Sequence, residues 1–197
     1  MIDNTDWIEI YRGGKEEIPW DIGVASDGLI KAVTKGEIKP CRALDVGCGT
    51  ATEAIYLAMK GFNVFAIDFS YTAIRIAREK TSGSGETVNL AVASLPQIPF
   101  QNDSFDFVND RGCFHIFSPE HREAFALEIQ RVMRNRGVYM MKCFSEKEPK
   151  RDGPFRISEK EIRRVFSIFK IIRIDDITLH GKNVSHKGYE CIFKKKI

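Results

Sequence analysis

The sequence of 197 residues predicts an open α/β sheet with helices on both faces, and three observations predict it. Short apolar runs of strand character alternate with helical periodicity from Cys41 onward. The connections between them are short, which makes consecutive strands parallel and their crossovers right-handed. A glycine turn, Gly47-Cys48-Gly49, joins the first strand of the series to the first helix. Sheets of this kind bind ligands at the carboxyl ends of their strands, so the turns after the first four strands are the expected site.

Each element has its own signal. Arg42 to Val46 is a compact apolar strand, and Thr50 to Lys60 is helical and stops at Gly61. Asn63 to Ile67 is the second strand, followed by a helix that Ser70 caps and that runs to about Lys80. The stretch Thr81 to Glu86 has the composition of a short flexible loop. Val88 to Val92 and Phe105 to Val108 are the third and fourth strands. Ser118-Pro119 opens a long helix to about Asn135, because Ser caps and Pro fits the first turn. Val138 to Phe144 is the fifth strand, and Ser158 with Glu161 forms a capping box for a helix to about Phe169. Two β-rich runs close the chain, Lys170 to Ile174 and Tyr189 to Phe193. Upstream, one or two helices are expected, near Asp6 to Arg12 and Ile22 to Lys35. The division is a helical cap over 1–39 and a core over 40–197, in a single domain.

Composition narrows the function. The chain is 43% apolar and 29% charged, as an ordinary globular domain is. A net charge of +3 is too small to argue for nucleic acid or an anionic membrane as partner. The five cysteines are odd in number, widely spaced and lack a CxxC pair, which points away from a disulfide scaffold or a metal site and towards the cytoplasm. The polar, acidic N-terminus is unlike a targeting peptide, and no apolar run is long enough to span a bilayer.

The most informative segment is Ala43-Leu44-Asp45-Val46-Gly47-Cys48-Gly49-Thr50-Ala51. Its glycines permit a tight turn and a close ligand approach. Asp68 ends the second strand, 21 positions after Gly47, where a carboxylate can accept from both ribose hydroxyls. A dinucleotide fingerprint would need a third small residue where Thr52 stands, since a pyrophosphate must reach the helix N-terminus. Asp45 would repel a pyrophosphate and suits a ligand bearing an ammonium and a sulfonium.

These residues resemble the class I S-adenosylmethionine-dependent methyltransferases. Leu44 to Thr50 looks like their glycine motif. Leu95 to Phe100 with Ser104 to Val108, and Arg131 to Gly137, look like their later motifs. The resemblance implies a Rossmann-like sheet of seven strands in the order 3-2-1-4-5-7-6, the last antiparallel. It implies S-adenosyl-L-methionine as cofactor and S-adenosyl-L-homocysteine as product. Many members carry an Asp after the third strand for the adenine amino group; here Ser94 and Leu95 occupy the place. A narrower similarity, to thiol and thiopurine methyltransferase-like proteins, rests on Ile18-Pro19-Trp20-Asp21-Ile22-Gly23 and on Asp110-Arg111-Gly112-Cys113-Phe114-His115. It implies a small soft nucleophile as acceptor, and an N-terminal segment bearing Trp7, Tyr11 and Trp20 over the cofactor.

The expected cofactor contacts are therefore Trp20, Asp45, Gly47, Cys48 and Gly49 from the cap and first turn, Asp68 and Phe69 from the second, Ser94 and Leu95 from the third, and Asp110 from the fourth. The expected catalytic residues are Asp110, lining the methionine end, and His115, as base or acceptor-orienting hydrogen bonder. No metal is expected, and the protein is expected as monomer or homodimer. Two other readings stay open: a non-catalytic binding module of the same fold, and a nicotinamide-dependent oxidoreductase, which Asp45 and Thr52 disfavour.

Overall fold

The computed structural model describes residues 9–12, 18–95, 97–149 and 153–197. Its strands are β1 (Arg42–Val46), β2 (Asn63–Asp68), β3 (Val88–Val92), β4 (Phe105–Arg111), β5 (Met133–Phe144), β6 (Phe169–His180) and β7 (Ser185–Lys195). Its helices are α1 (Asp27–Thr34), α2 (Thr52–Met59), α3 (Tyr71–Ser84), α4 (Arg122–Val132) and α5 (Glu159–Val165). Residues 9–12 are also helical, while Trp7 lies outside the described residues.

The seven strands form one sheet ordered β3-β2-β1-β4-β5-β7-β6. β1 pairs in parallel with β2 and β4, and the outer pairs β2–β3 and β4–β5 are parallel too. β7 runs antiparallel between β5 and β6. The expected topology is the observed one, and alternate residues of β1 explain the two layers. Leu44 and Val46 pack with Phe125, Ile129 and Phe166 from α4 and the end of α5. Ala43 faces Leu29, Ala54 and Leu57 from α1 and α2.

The caps read from sequence are formed: Ser70 accepts from the Ala73 N–H and Ser158 from the Glu161 N–H. Other boundaries shift for local reasons. α3 continues to Ser84 and stops at Gly85, whose φ of 75° ends it, so most of the expected loop is helical. α4 ends at Val132, and β5 begins at Met133 before a wide irregularity that loops out the segment with Arg136 at φ 65°. The pull is tertiary: Arg134 pairs with Asp106 at 2.9 Å across β4. Ser118-Pro119 opens a 3-10 turn rather than the helix itself. α1 begins only at Asp27, after irregular residues of which Ile22, Val24, Ala25 and Ser26 line the cavity described below. β6 and β7 are far longer than their apolar runs, because cross-strand pairing from Phe169↔Lys195 to His180↔Ser185 sustains polar residues in a hairpin.

Candidate active site

A cavity of about 860 Å³ opens at the carboxyl ends of the parallel strands. Gly47, Asp68, Phe69, Ala93, Ser94, Leu95, Arg111, Gly112 and Cys113 line it, from the turns after β1, β2, β3 and β4. Tyr11 and Trp20 from the N-terminal segment also line it, as do His115, which lies against Gly112, and Phe144.

The glycine turn is built for close approach. Gly47 and Gly49 have φ of 63° and 53°, in the left-handed region. A Cβ on Gly47 would come within 2.9 Å of Cys113 Sγ, and one on Gly49 within 2.8 Å of Tyr11 Oη. Asp68 braces the same turn: one carboxylate oxygen accepts from the Gly49 N–H and the other from the Ser70 N–H, each at 2.9 Å. Each oxygen keeps a further lone pair for a ligand hydroxyl. Burial nevertheless raises the Asp68 carboxyl above its ordinary range.

Asp45, Cys48 and Gly49 do not line the main cavity. They face a much smaller chamber beneath the turn, together with Trp20, Glu53 and Arg111. One oxygen of Asp45 accepts from the Asn109 amide at 2.7 Å, and its other oxygen is buried without a partner. Burial lifts its carboxyl to about 8. A buried, half-satisfied acid beside a bare glycine turn fits the cationic amino-acid end of a sulfonium ligand, since a cation there would satisfy the orphaned oxygen.

Asp21 was visible in the sequence only as part of a motif, and the structure gives it a definite task. Thr50 Oγ1 donates to it, Thr52 Oγ1 donates to it at 2.9 Å, and Lys80 pairs with it at 3.3 Å. It thus occupies the start of α2, where a pyrophosphate would have to sit in a dinucleotide enzyme. Burial works against its ionisation, but the hydrogen bond from Thr50, the Lys80 charge and the bond from Thr52 outweigh this and hold it at about 2.

Asp110 departs from expectation. It is fully buried, does not line the cavity, and accepts from the Cys113 N–H at 2.6 Å, the Phe114 N–H at 3.1 Å and Tyr139 Oη at 2.9 Å. Its β4 position points into the layer beneath α4 and α5, so its carboxylate shapes the turn that carries Arg111 to His115. Burial raises it to about 7 despite those donors.

His115 does reach the cavity. The Phe144 backbone N–H donates to its Nδ1 at 2.9 Å. The ring is therefore neutral with its proton on Nε2, a hydrogen-bond donor. Burial, with the charges of Arg156 and His186, pushes its pKa down to about 3. Phe144 sits between His115 and His186, with ring centroids 4.5 and 4.6 Å away. The Arg156 guanidinium lies 5.8 Å from the Phe144 ring, and its Nε is buried without a partner.

A row of buried and part-buried charges on β4, β5 and β7 gave little signal in the sequence. Lys142 donates to Ser26 Oγ at 2.6 Å and pairs with Glu190 at 3.6 Å, while Arg111 pairs with Glu53 at 3.5 Å. A lysine inside the apolar run Tyr139 to Phe144 was the one available signal. Burial lowers the Lys142 amine, and the Glu53 and Glu190 carboxylates oppose that shift. Arg156 gave no signal, because it lies in an irregular segment between β5 and α5.

Residues 43–137 match the family described as methyltransferase domain. The 2-heptyl-1-hydroxyquinolin-4(1H)-one methyltransferase of Mycobacteroides abscessus is 31% identical over 85% of this chain and 76% of its own length. This chain belongs to the class I S-adenosylmethionine-dependent methyltransferases. A probable thiol methyltransferase 2 of Arabidopsis thaliana is 25% identical over 84% of this chain and 74% of its own. The solved structure of a protein described by the conversion of a disulfide bond into a thioacetal group during echinomycin biosynthesis superposes with a TM-score of 0.86 at 25% identity, covering 96% of this chain and 92% of that one. As a methyltransferase of this class the protein is an enzyme, with S-adenosylmethionine as its cofactor. Among the described residues of this methyltransferase, no helix is long and apolar enough to cross a membrane.

Proposed function

We propose that this methyltransferase transfers a methyl group to the sulfur of a small thiol acceptor. The observation that carries the reading is the state of its two candidate bases. Asp110 is consumed by three donors, and His115 presents a donor because its Nδ1 accepts from Phe144. An acceptor that ionises unaided suits such a site, and a thiol with a pKa of about 8.5 is partly thiolate near neutrality. Arg156 and His115 at the acceptor end favour the anion and orient it. The sulfur-directed names of two similar proteins support the same reading.

Bound S-adenosylmethionine supplies an electrophilic methyl carbon on a cationic sulfur. Asp68 holds the ribose hydroxyls, Phe69, Ser94 and Leu95 border the adenine end, and Gly47 lets the backbone meet the methionine portion. Trp20 and Tyr11 exclude water, which concentrates the effect of alignment. The acceptor sulfur, its proton already lost to solvent, bonds to the methyl carbon as the sulfonium carbon–sulfur bond breaks and the electron pair leaves with the thioether. The cap 1–39 and core 40–197 act as one unit in this reading. The described cysteines are all free thiols, which fits a reducing cytoplasm.

The test pairs thiophenol with phenol, following S-adenosylhomocysteine formation between about pH 6 and 9. The thiol is expected to react faster, with a rate that tracks its thiolate fraction. Faster methylation of the phenol would overturn the sulfur assignment.

A further inference from the structure

The cavity continues outward into a groove with apolar walls. Ile22 and Val24 of the N-terminal segment form one wall, and Ile177, Leu179 and Val184 of the β6–β7 hairpin form the other. Ile22, Val24 and Val184 are 36%, 57% and 36% exposed, so three of the large apolar side chains that face solvent gather at this one mouth. The walls are joined: the Lys182 N–H donates to the Pro19 carbonyl at 2.8 Å, and the Gly181 N–H to the Val184 carbonyl at 2.8 Å. The inner end is different in kind, with the buried Lys142 and Glu190 beside His115 and Phe144.

We propose that this groove binds a hydrocarbon tail on the methyl acceptor, so that the acceptor is amphipathic, with its nucleophilic head inside and its tail between Val24 and Val184. The head chemistry rests on the thiol reading above; the tail does not. One ligand can occupy both parts, because the five apolar residues and His115 line a single continuous cavity. Asp27, Lys31, Asp175 and His180 line the same cavity, but the five side chains named above are uncharged, so an apolar chain laid along them gains by burial. A flat macromolecular surface would cover the mouth without entering the interior.

The test uses the full chain with straight-chain alkanethiols of about two to eight carbons, and 4-alkylphenols with matching tails, measuring kcat/KM. Expected is a rise of roughly fourfold per added methylene until the groove is filled, as a buried CH2 contributes. Val24→Asp and, independently, Val184→Asp should lower the ratio of longest to shortest substrate at least tenfold. Circular dichroism identifies a variant that fails to fold, and the other then decides. Equal kcat/KM for all lengths in both series overturns the tail site, as does a length dependence that survives both variants. Length dependence in the alkylphenols with inert thiols sinks the thiol reading and sustains the tail. Sedimentation showing a dimer that either Asp variant dissociates would assign the apolar mouth to a second copy and overturn the proposal.

Discussion

Thr52 donates a 2.9 Å hydrogen bond to Asp21, and through it the N-terminal segment is tied to the first turn of α2, directly beneath the glycine turn. Trp20, the neighbour of Asp21, meets Tyr11 edge-on at 6.1 Å, and the Tyr11 hydroxyl rests against Gly49. One carboxylate thus anchors the segment that carries Trp20 against the glycine turn. Asp21→Ala leaves Lys80 and two threonines with a buried partner removed, and should cost about 1–3 kcal/mol of stability. Cofactor affinity should fall with it, as titration with S-adenosylhomocysteine would show.

The same residue sets an acid limit. Its folded pKa of about 2 lies below the ordinary carboxyl value, so its stabilisation is fully present above the unfolded pKa and is lost as pH falls through the folded one. The window is therefore about pH 4 down to about 2, with a loss of roughly 2 kcal/mol. Thermal melts of wild type and Asp21→Asn across that window should converge at the acid end. Parallel curves would mean that another group sets the limit.

Asp45 predicts a proton release. With a carboxyl near 8 it is mostly protonated at neutral pH in the free protein, and a cation placed against its orphaned oxygen lowers that value. Binding of S-adenosylmethionine near pH 7 should expel part of a proton, and affinity should rise as pH approaches 8. Calorimetry in two buffers of different ionisation enthalpy measures this. Identical heats in both would remove Asp45 from the cofactor's cationic end.

His115 should act as a donor without titrating. His115→Ala is expected to lower kcat/KM about tenfold, the loss of one hydrogen bond to an anionic atom. The pH–rate profile should keep its shape, because a ring held near 3 has no limb at neutrality. Disappearance of a limb between about pH 6 and 7 in the variant would restore the base role.

Ala51 carries a left-handed φ of 61° at the cap of α2, and it is fully buried. Glycine there relieves roughly 1–2 kcal/mol of backbone strain but gives up a buried methyl and adds chain entropy. Ala51→Gly should therefore be near neutral. Ala54→Gly, equally buried but inside α2, should cost about 1.5 kcal/mol. Denaturant melts of the two variants compare them directly, and an equal loss in both would refute strain at Ala51.

Much of the protein is decided within short stretches of chain. The alternation of strands and helices, the Gly47–Gly49 turn, the Ser70 and Ser158 caps and the position of Asp68 at the end of β2 depend on neighbours a few residues away, so sequence alone sufficed for them. The tertiary structure decided the rest, because it sets partners far apart in sequence. Asp21 finds Thr52, His115 finds the Phe144 N–H, and Lys142 finds Ser26, across separations of 31, 29 and 116 residues. Asp110 carries the same lesson in reverse: its place after a strand looked like a ligand position, and only the packing of β4 against Tyr139 turned its carboxylate inward. Local periodicity specifies which residues form an element; the pairing of elements specifies where each side chain points and which protons it keeps.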